Sequence, residues 1–149
     1  MSESDVAKPG WPLLLIWVVG VTVVLLGLGY LLAPEWTSEQ VTRESFDSDQ
    51  ANSDLRATVG GATVGMGLFF CWCALKPQRI AVGLLASTLV FAGLVVARLI
   101  GFAIEGVYAA QLGAFVIEIA GVVLSVLGLR TLAAKGLADP RAAASAEQH

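Results

Sequence analysis

Charged and reactive side chains are scarce in this chain of 149 residues. Only 14% of the residues are charged, whereas an average soluble domain has about 25%. The single histidine is the terminal residue His149, so the chain offers no histidine-based metal site or catalytic triad. No glycine-rich phosphate loop followed by Lys-Ser or Lys-Thr is present, and the net charge of −3 argues against nucleic-acid binding. We expect no cofactor, no metal and no nucleic-acid partner, and we assign no catalytic residue.

The two cysteines do not form a metal-binding motif. Cys71 and Cys73 are two positions apart, so on a helix their side chains point about 200° away from each other. They therefore cannot ligate the same ion, and a role as small apolar filler is expected.

Long apolar runs are the dominant feature of the sequence. Hydrophobic residues make up 56% of the chain, and the mean hydropathy is +0.76. A bilayer-spanning helix needs about 20 predominantly apolar residues, and four runs have this length: 11–32, 55–75, 80–104 and 108–132. A cleaved signal peptide would have an apolar core of only about 7–15 residues, so the first run is expected to be retained. The sequence predicts an all-α bundle of four transmembrane helices in a membrane domain over residues 11–134.

The segments outside the runs predict how the chain is oriented. The predicted loop 33–54 contains six acidic residues and one basic residue, whereas Lys76 and Arg79 lie in the short connection between the second and third runs. Lysine and arginine are enriched in cytoplasmic loops. We therefore expect an outward-facing acidic loop, a cytoplasmic N-terminal segment 1–10, and a cytoplasmic C-terminal tail 135–149 that is disordered.

Ionisable side chains inside the last three runs are predicted to lie at one level of the outer leaflet. At about 1.5 Å per residue, Arg98 lies about 9 Å below the outer end of the third helix and Glu118 about 13 Å below the same surface. Charges in a bilayer usually pair, so we expect Arg98 to pair with Glu118, and Arg56 with Glu105. Helical spacing adds two uncharged polar residues. The predicted cluster, structural or ligand-binding, comprises Asn52, Arg56, Arg98, Glu105, Gln111 and Glu118.

Small residues recur at helical spacing in the same three runs. Such residues let the backbones of membrane helices approach closely. The predicted helix-packing positions are Ala57, Gly60, Gly61, Gly65, Gly93, Ala97, Gly101 and Gly121.

One resemblance rests on specific motifs. Pro34 follows the first run, Asn52-x-x-x-Arg56-x-x-x-Gly60-Gly61 opens the second, Arg98-x-x-Gly101-x-x-x-Glu105-Gly106 closes the third, and Glu118 lies in the fourth. This pattern resembles the DUF4345 family of small four-helix bacterial membrane proteins. The resemblance implies an integral membrane protein of the bacterial inner membrane. It implies no reaction, because no function is assigned to the family.

Three classes of function remain open. The first is a non-catalytic membrane module or accessory subunit, in which the charged cluster holds helices together. The second is a binder of a small lipophilic or anionic ligand in an outward-facing pocket within the membrane. The third, ranked last, is an enzyme or proton-coupled carrier. The expected partners are the lipid bilayer and, as open alternatives, further copies of the chain or a larger membrane complex.

Overall fold

The computed structural model describes residues 10–41 and 48–135. Nearly all of the predicted N-terminal segment, the middle of the predicted acidic loop and the tail beyond Lys135 lie outside the described residues. Those that are described form helices and no strand. The elements are α1 (Trp11–Leu32), α2 (Pro34–Val41), α3 (Asp49–Asp54), a π-helix (Leu55–Gly61), α4 (Ala62–Ala74), a 3₁₀ turn (Pro77–Arg79), α5 (Ile80–Glu105) and α6 (Ala109–Ala134).

Four helical segments are long and apolar enough to cross a membrane, as predicted. They are Trp11–Leu32, Asp49–Ala74, Pro77–Glu105 and Gln111–Ala134. Large apolar side chains are exposed along all four; Leu14, Leu89 and Val116, for example, are each about two-thirds exposed. Soluble monomers rarely expose apolar patches on this scale. The exposed apolar surface is therefore suited to contact with lipid.

The predicted loop 33–54 contains two short helices. Pro34 begins α2, a position at which its fixed φ suits a helix and its missing N–H is not needed. The Oγ of Ser48 accepts a hydrogen bond of 3.1 Å from the backbone N–H of Ala51 and caps α3. Because of this cap, the second candidate span begins at Asp49, earlier than the predicted Leu55.

The second candidate span changes its helix type where the sequence places Arg56. Residues Leu55–Gly61 are π-helical, between α3 and α4. A π-helix bonds each N–H to the carbonyl five residues earlier instead of four, and such segments are rare. The extra residue in the turn rotates everything after it relative to an uninterrupted α-helix. Residues on the two sides of this segment therefore do not share a face at ordinary α-helical spacing.

The chain divides into two compact units. We call residues 16–72 the N-terminal unit, and residues 10–15 together with 73–135 the C-terminal unit. In the N-terminal unit, α1 and α4 approach each other through glycines. A Cβ built on Gly27 would lie 2.6 Å from the backbone nitrogen of Val64, and a Cβ on Gly67 would lie 2.6 Å from the backbone nitrogen of Val24. Only glycine allows two backbones to come this close.

The glycines that make this contact are only partly those predicted. Gly60 was predicted, and a Cβ there would lie 3.0 Å from the backbone nitrogen of Leu31. Among the residues that the structure describes, a Cβ on Gly61 would meet only the carbonyl oxygen of Arg56 in its own helix, at 3.8 Å, and a Cβ on Gly65 would meet nothing within 4 Å. The prediction grouped these two glycines with Ala57 by counting four residues at a time, as in an α-helix. The π-helix lies within this stretch and rotates the later residues to a different face. The observed packing face of this span therefore includes Gly60 and Gly67.

In the C-terminal unit, α5 and α6 pack along a continuous antiparallel seam. The contact positions are three, four or seven residues apart on α5 and three or four apart on α6, a spacing typical of knobs-into-holes packing. From the start of α5 they are Leu84 with Gly128, Ser87 with Ser125, Phe91 with Gly121, Arg98 with Glu118, and Phe102 with Phe115.

Of the small residues predicted to pack α5 and α6, only Gly121 makes a close approach in the structure. A Cβ on Gly121 would lie 2.6 Å from ring carbons of Phe91, whereas a Cβ on Gly93 or Gly101 would meet nothing within 4 Å. Gly93 lies two residues from Phe91, which places it about 200° around the helix from the seam. Gly101 and Ala97 flank the seam, and Ala97 is exposed. Within the described chain, Ala97 and Gly101 therefore leave open space beside the seam.

Candidate functional site

The predicted pair between Arg98 and Glu118 is present and has two hydrogen bonds. The Nε of Arg98 donates to Oε2 of Glu118 at 2.8 Å, and Nη2 donates to Oε1 at 2.6 Å. The two side chains are 24% and 8% exposed, respectively. Paired parallel hydrogen bonds between a guanidinium and a carboxylate are among the strongest in proteins. The pair therefore joins α5 to α6 with a fixed geometry.

The connection between the helices places the two side chains at similar depth. Gly106 ends α5 with a positive φ of 92°, a conformation that glycine adopts without steric cost. The hydroxyl of Tyr108 donates a hydrogen bond of 3.2 Å to the carbonyl of Glu105, and α6 begins at the next residue. Arg98 is seven residues before the end of α5 and Glu118 nine after the start of α6, about 10 Å and 13 Å along the two axes. This agreement in depth lets the side chains meet.

Neighbouring contacts along the seam shelter the pair on both sides. Toward the turn, the rings of Phe102 and Phe115 meet edge to face with centroids 5.4 Å apart. In the other direction, the ring of Phe91 covers Gly121. Aromatic surroundings of this kind lower the local dielectric and strengthen the attraction between opposite charges.

A cavity of about 240 Å³ lies beside the pair. Its lining consists of Leu94, Ala97, Arg98, Gly101 and Gln111. The space exists because the two small residues on this flank of α5 bring no bulk to it. Arg98 has five N–H donors and uses two of them on Glu118. Within the described chain, its other three N–H groups and the side-chain amide of Gln111 have no hydrogen-bond partner.

The other members of the predicted cluster are Glu105, Arg56 and Asn52. Glu105 is exposed at the last position of α5, and Arg56 is exposed on the π-helix. Asn52 lies in α3, and its Oδ1 is buried without a hydrogen-bond partner among residues 10–41 and 48–135. Because Asn52 and Arg56 belong to the N-terminal unit and Glu105 to the C-terminal unit, the pairing of Arg56 with Glu105 stays a prediction. So does a ligand-binding role for the cluster as a whole.

One polar contact in the seam was not predicted. The hydroxyls of Ser87 and Ser125 share a hydrogen bond of 2.9 Å, and both residues are completely buried. A sequence signal for it exists, because Ser125 is seven residues after Glu118 and Ser87 is eleven before Arg98, whole numbers of helical turns in both cases. The edge-to-face contact of Phe102 with Phe115 was also missed, for lack of any sign of which aromatic residues would meet.

Metal-binding chemistry finds no support in the part of the chain that the structure describes. It contains no group of three or more His, Cys, Asp or Glu side chains placed to hold an ion. Cys71 and Cys73 are free thiols, half-buried and buried. The polar contacts that the structure shows in the α5–α6 seam are hydrogen bonds and one ion pair between the described residues.

Comparison with known proteins gives one match. No curated protein and no solved structure matches the chain. The family model described as "Domain of unknown function (DUF4345)" matches residues 13–129, from α1 to the last part of α6. This range covers most of the chain and includes both members of the ion pair, so the protein belongs to the DUF4345 family, a domain of unknown function.

Proposed function

We propose that the protein is a non-catalytic module of a bacterial inner membrane, in which the pair of Arg98 and Glu118 locks α5 to α6 inside the bilayer. The bidentate geometry of this pair is the observation that carries the proposal. A charged side chain at the centre of a membrane helix costs about 2.5–3.5 kcal/mol on insertion scales, and the pair, which lies closer to one end of α5, carries part of that cost. While the helices stay together, the attraction of the two opposite charges and their two hydrogen bonds offset much of this cost. If the helices separate, each charge is left in the bilayer without its partner.

The same geometry argues against proton transfer by Glu118. Both of its carboxylate oxygens accept hydrogen bonds from Arg98, and its side chain is 8% exposed. A general base must be within hydrogen-bond reach of the proton that it removes. A carboxylate held on both oxygens by one guanidinium is poorly placed for that task, which is why an enzyme or carrier ranks last.

A double-mutant cycle tests the lock. The variants are Arg98→Gln, Glu118→Gln and the double variant, and stability is measured by unfolding in detergent. Each single variant leaves one buried charge without its partner and is expected to lose about 3 kcal/mol. The double variant removes both charges and is expected to be more stable than the sum of the single losses predicts.

Arg130→Gln is the matched control. Arg130 is an exposed arginine of α6, and no ion pair to it exists in the described chain. Its neutralisation is expected to change stability by less than about 0.5 kcal/mol. Strictly additive losses in the Arg98/Glu118 cycle would refute the lock.

The proposal includes an orientation, with both termini in the cytoplasm and the pair in the outer leaflet. The support is the sequence: segment 33–54 is acidic, whereas Lys76 and Arg79 make the connection before α5 basic. Basic residues are enriched in cytoplasmic loops. Single cysteines replacing Glu39 or Lys76, in a chain with Cys71 and Cys73 changed to alanine, test it in intact cells. A membrane-impermeant thiol reagent is expected to label position 39 and to spare position 76. The opposite labelling would invert the proposed orientation.

A further inference from the structure

We propose that the cavity beside the ion pair binds the phosphate of a phospholipid from the surrounding bilayer. This inference deepens the proposed function, because it requires the pair to hold Arg98 in place. The ligand contacts would be the free edge of the Arg98 guanidinium and the side-chain amide of Gln111. The lipid chain would continue inward from the cavity along the apolar flank formed by Ala97 and Leu94, since Leu94 lies deeper in the membrane than Arg98.

The guanidinium of Arg98 has a second binding edge that the protein leaves unused. Glu118 occupies the side formed by Nε and Nη2. The opposite edge is formed by Nη1 and the remaining N–H of Nη2, and it presents two parallel donors. Such an edge fits a group with two acceptor oxygens, such as a phosphodiester or a carboxylate. An arginine paired on one edge is therefore still equipped to bind an anion on the other.

The remaining polar capacity of the cavity also favours an acceptor-rich ligand. Gln111 contributes two amide N–H donors and one acceptor, and Arg98 contributes three further donors. Unsatisfied donors in an apolar medium are costly, so a ligand rich in acceptor oxygens stabilises this site more than a ligand rich in donors.

The size of the cavity favours the head group of a lipid over a separate small molecule. Pockets for drug-sized ligands have volumes of about 300–1,000 Å³, whereas this cavity has about 240 Å³ and takes a head group only.

The length of α5 indicates how deep the cavity lies in the membrane. The 26 residues of α5 are about 39 Å long, which exceeds the hydrocarbon thickness of about 30 Å. With the excess shared between the ends, Arg98 lies about 6 Å inside the hydrocarbon boundary. Because Glu118 holds the Arg98 side chain in place, the head group would reach the guanidinium through local thinning of the bilayer.

The apolar flank decides between a lipid phosphate and free phosphate. Leu94 and Ala97 are exposed on the side of α5 that borders the cavity. An acyl chain covers such a surface, whereas a dissolved phosphate ion gains nothing from it. The source that we infer is therefore the bilayer itself.

The test measures binding of phosphatidylglycerol to the delipidated full-length protein by native mass spectrometry. Two variants change the cavity and keep the ion pair. Gln111→Leu removes the amide, and Ala97→Leu fills the space. Ala103→Leu is the matched control, because it makes the same change at an exposed position of α5 that does not line the cavity. Each cavity variant is expected to bind phosphatidylglycerol about tenfold more weakly than wild type, and the control within about twofold.

Three results would overturn the inference. The first is unchanged binding by both cavity variants. The second is equal binding of diacylglycerol, which has the same chains and no phosphate. The third is competition by inorganic phosphate at concentrations equal to those of the lipid, which would identify a site for the free ion. Melting curves of the lipid-free variants show separately whether the ion pair still stabilises the protein. The cavity variants are expected to melt like wild type, since they leave the pair of Arg98 and Glu118 in place.

Discussion

Replacing Gly67 by alanine is expected to separate α1 from α4 and to destabilise the N-terminal unit strongly. A Cβ at this position would lie 2.6 Å from the backbone nitrogen of Val24 and 2.9 Å from the carbonyl oxygen of Gly20. Carbon atoms in favourable contact are about 3.5–4.0 Å from their neighbours, so the helices must move apart by about 1 Å. Because the atoms in the way belong to the backbone, no side-chain rotation relieves the clash.

The magnitude follows from the cost of overpacking. Adding a methyl group to a tightly packed core costs about 1–3 kcal/mol when side chains have to move, and a backbone clash belongs at the upper end of that range. The separation also loosens the contact of Gly27 with Val64, which depends on the same approach of α1 to α4. We expect a loss of about 3 kcal/mol, a large share of the about 5–15 kcal/mol that stabilises a typical protein.

Gly65→Ala is the matched control, two residues away in the same helix. A Cβ at Gly65 would meet nothing within 4 Å, so this variant gains only the helix propensity of alanine, at most about 1 kcal/mol. The assay is equilibrium unfolding of both variants in mixed micelles, followed by circular dichroism. Equal stability of Gly65→Ala and Gly67→Ala would refute the close backbone contact of α1 with α4.

Two further predictions concern the seam between α5 and α6. Gly121→Ala should lower the unfolding free energy by about 1 kcal/mol or more, because its methyl group displaces the ring of Phe91, whereas Gly93→Ala should leave it unchanged or slightly raised; thermal melts that rank the two in reverse would contradict the seam. Ser87→Ala should cost about 1 kcal/mol by leaving a buried hydroxyl unpaired, and the double variant with Ser125→Ala should cost less than the two single losses together. Additive losses in the same melts would show that the two hydroxyls are not coupled.

Hydropathy and helix geometry were enough to predict the four candidate spans and the central ion pair. The four candidate spans follow from run length, and the pairing of Arg98 with Glu118 follows from counting residues to the turn between α5 and α6. That count was reliable because the connection is short and Gly106 permits its reversal. The short helix α2 was missed, since eight mostly polar residues in an acidic segment carry no periodic signal of their own.

The packing faces could not be predicted to the same degree. Periodicity states which residues share a face of a helix, but it does not state which face meets a neighbour. For Gly93 and Gly101 the spacing was regular, yet no residue that the structure describes lies close to either. For Gly61 and Gly65 the α-helical period itself failed, because a π-helical turn between Leu55 and Gly61 adds a residue that no simple pattern in the sequence reveals.

The two polar contacts between α5 and α6 also determine how these helices are aligned. The fits of Phe91 on Gly121 and of Leu84 on Gly128 favour this alignment, but the exposed aliphatic side chains around them are nearly interchangeable in lipid and add little to it. A slide by one helical turn would bring Arg98 opposite Phe115 or Val122, and it would also part the two serine hydroxyls, leaving four polar groups without partners in hydrocarbon. The ion pair and the serine contact therefore favour the observed alignment of α5 and α6 over one displaced by a helical turn.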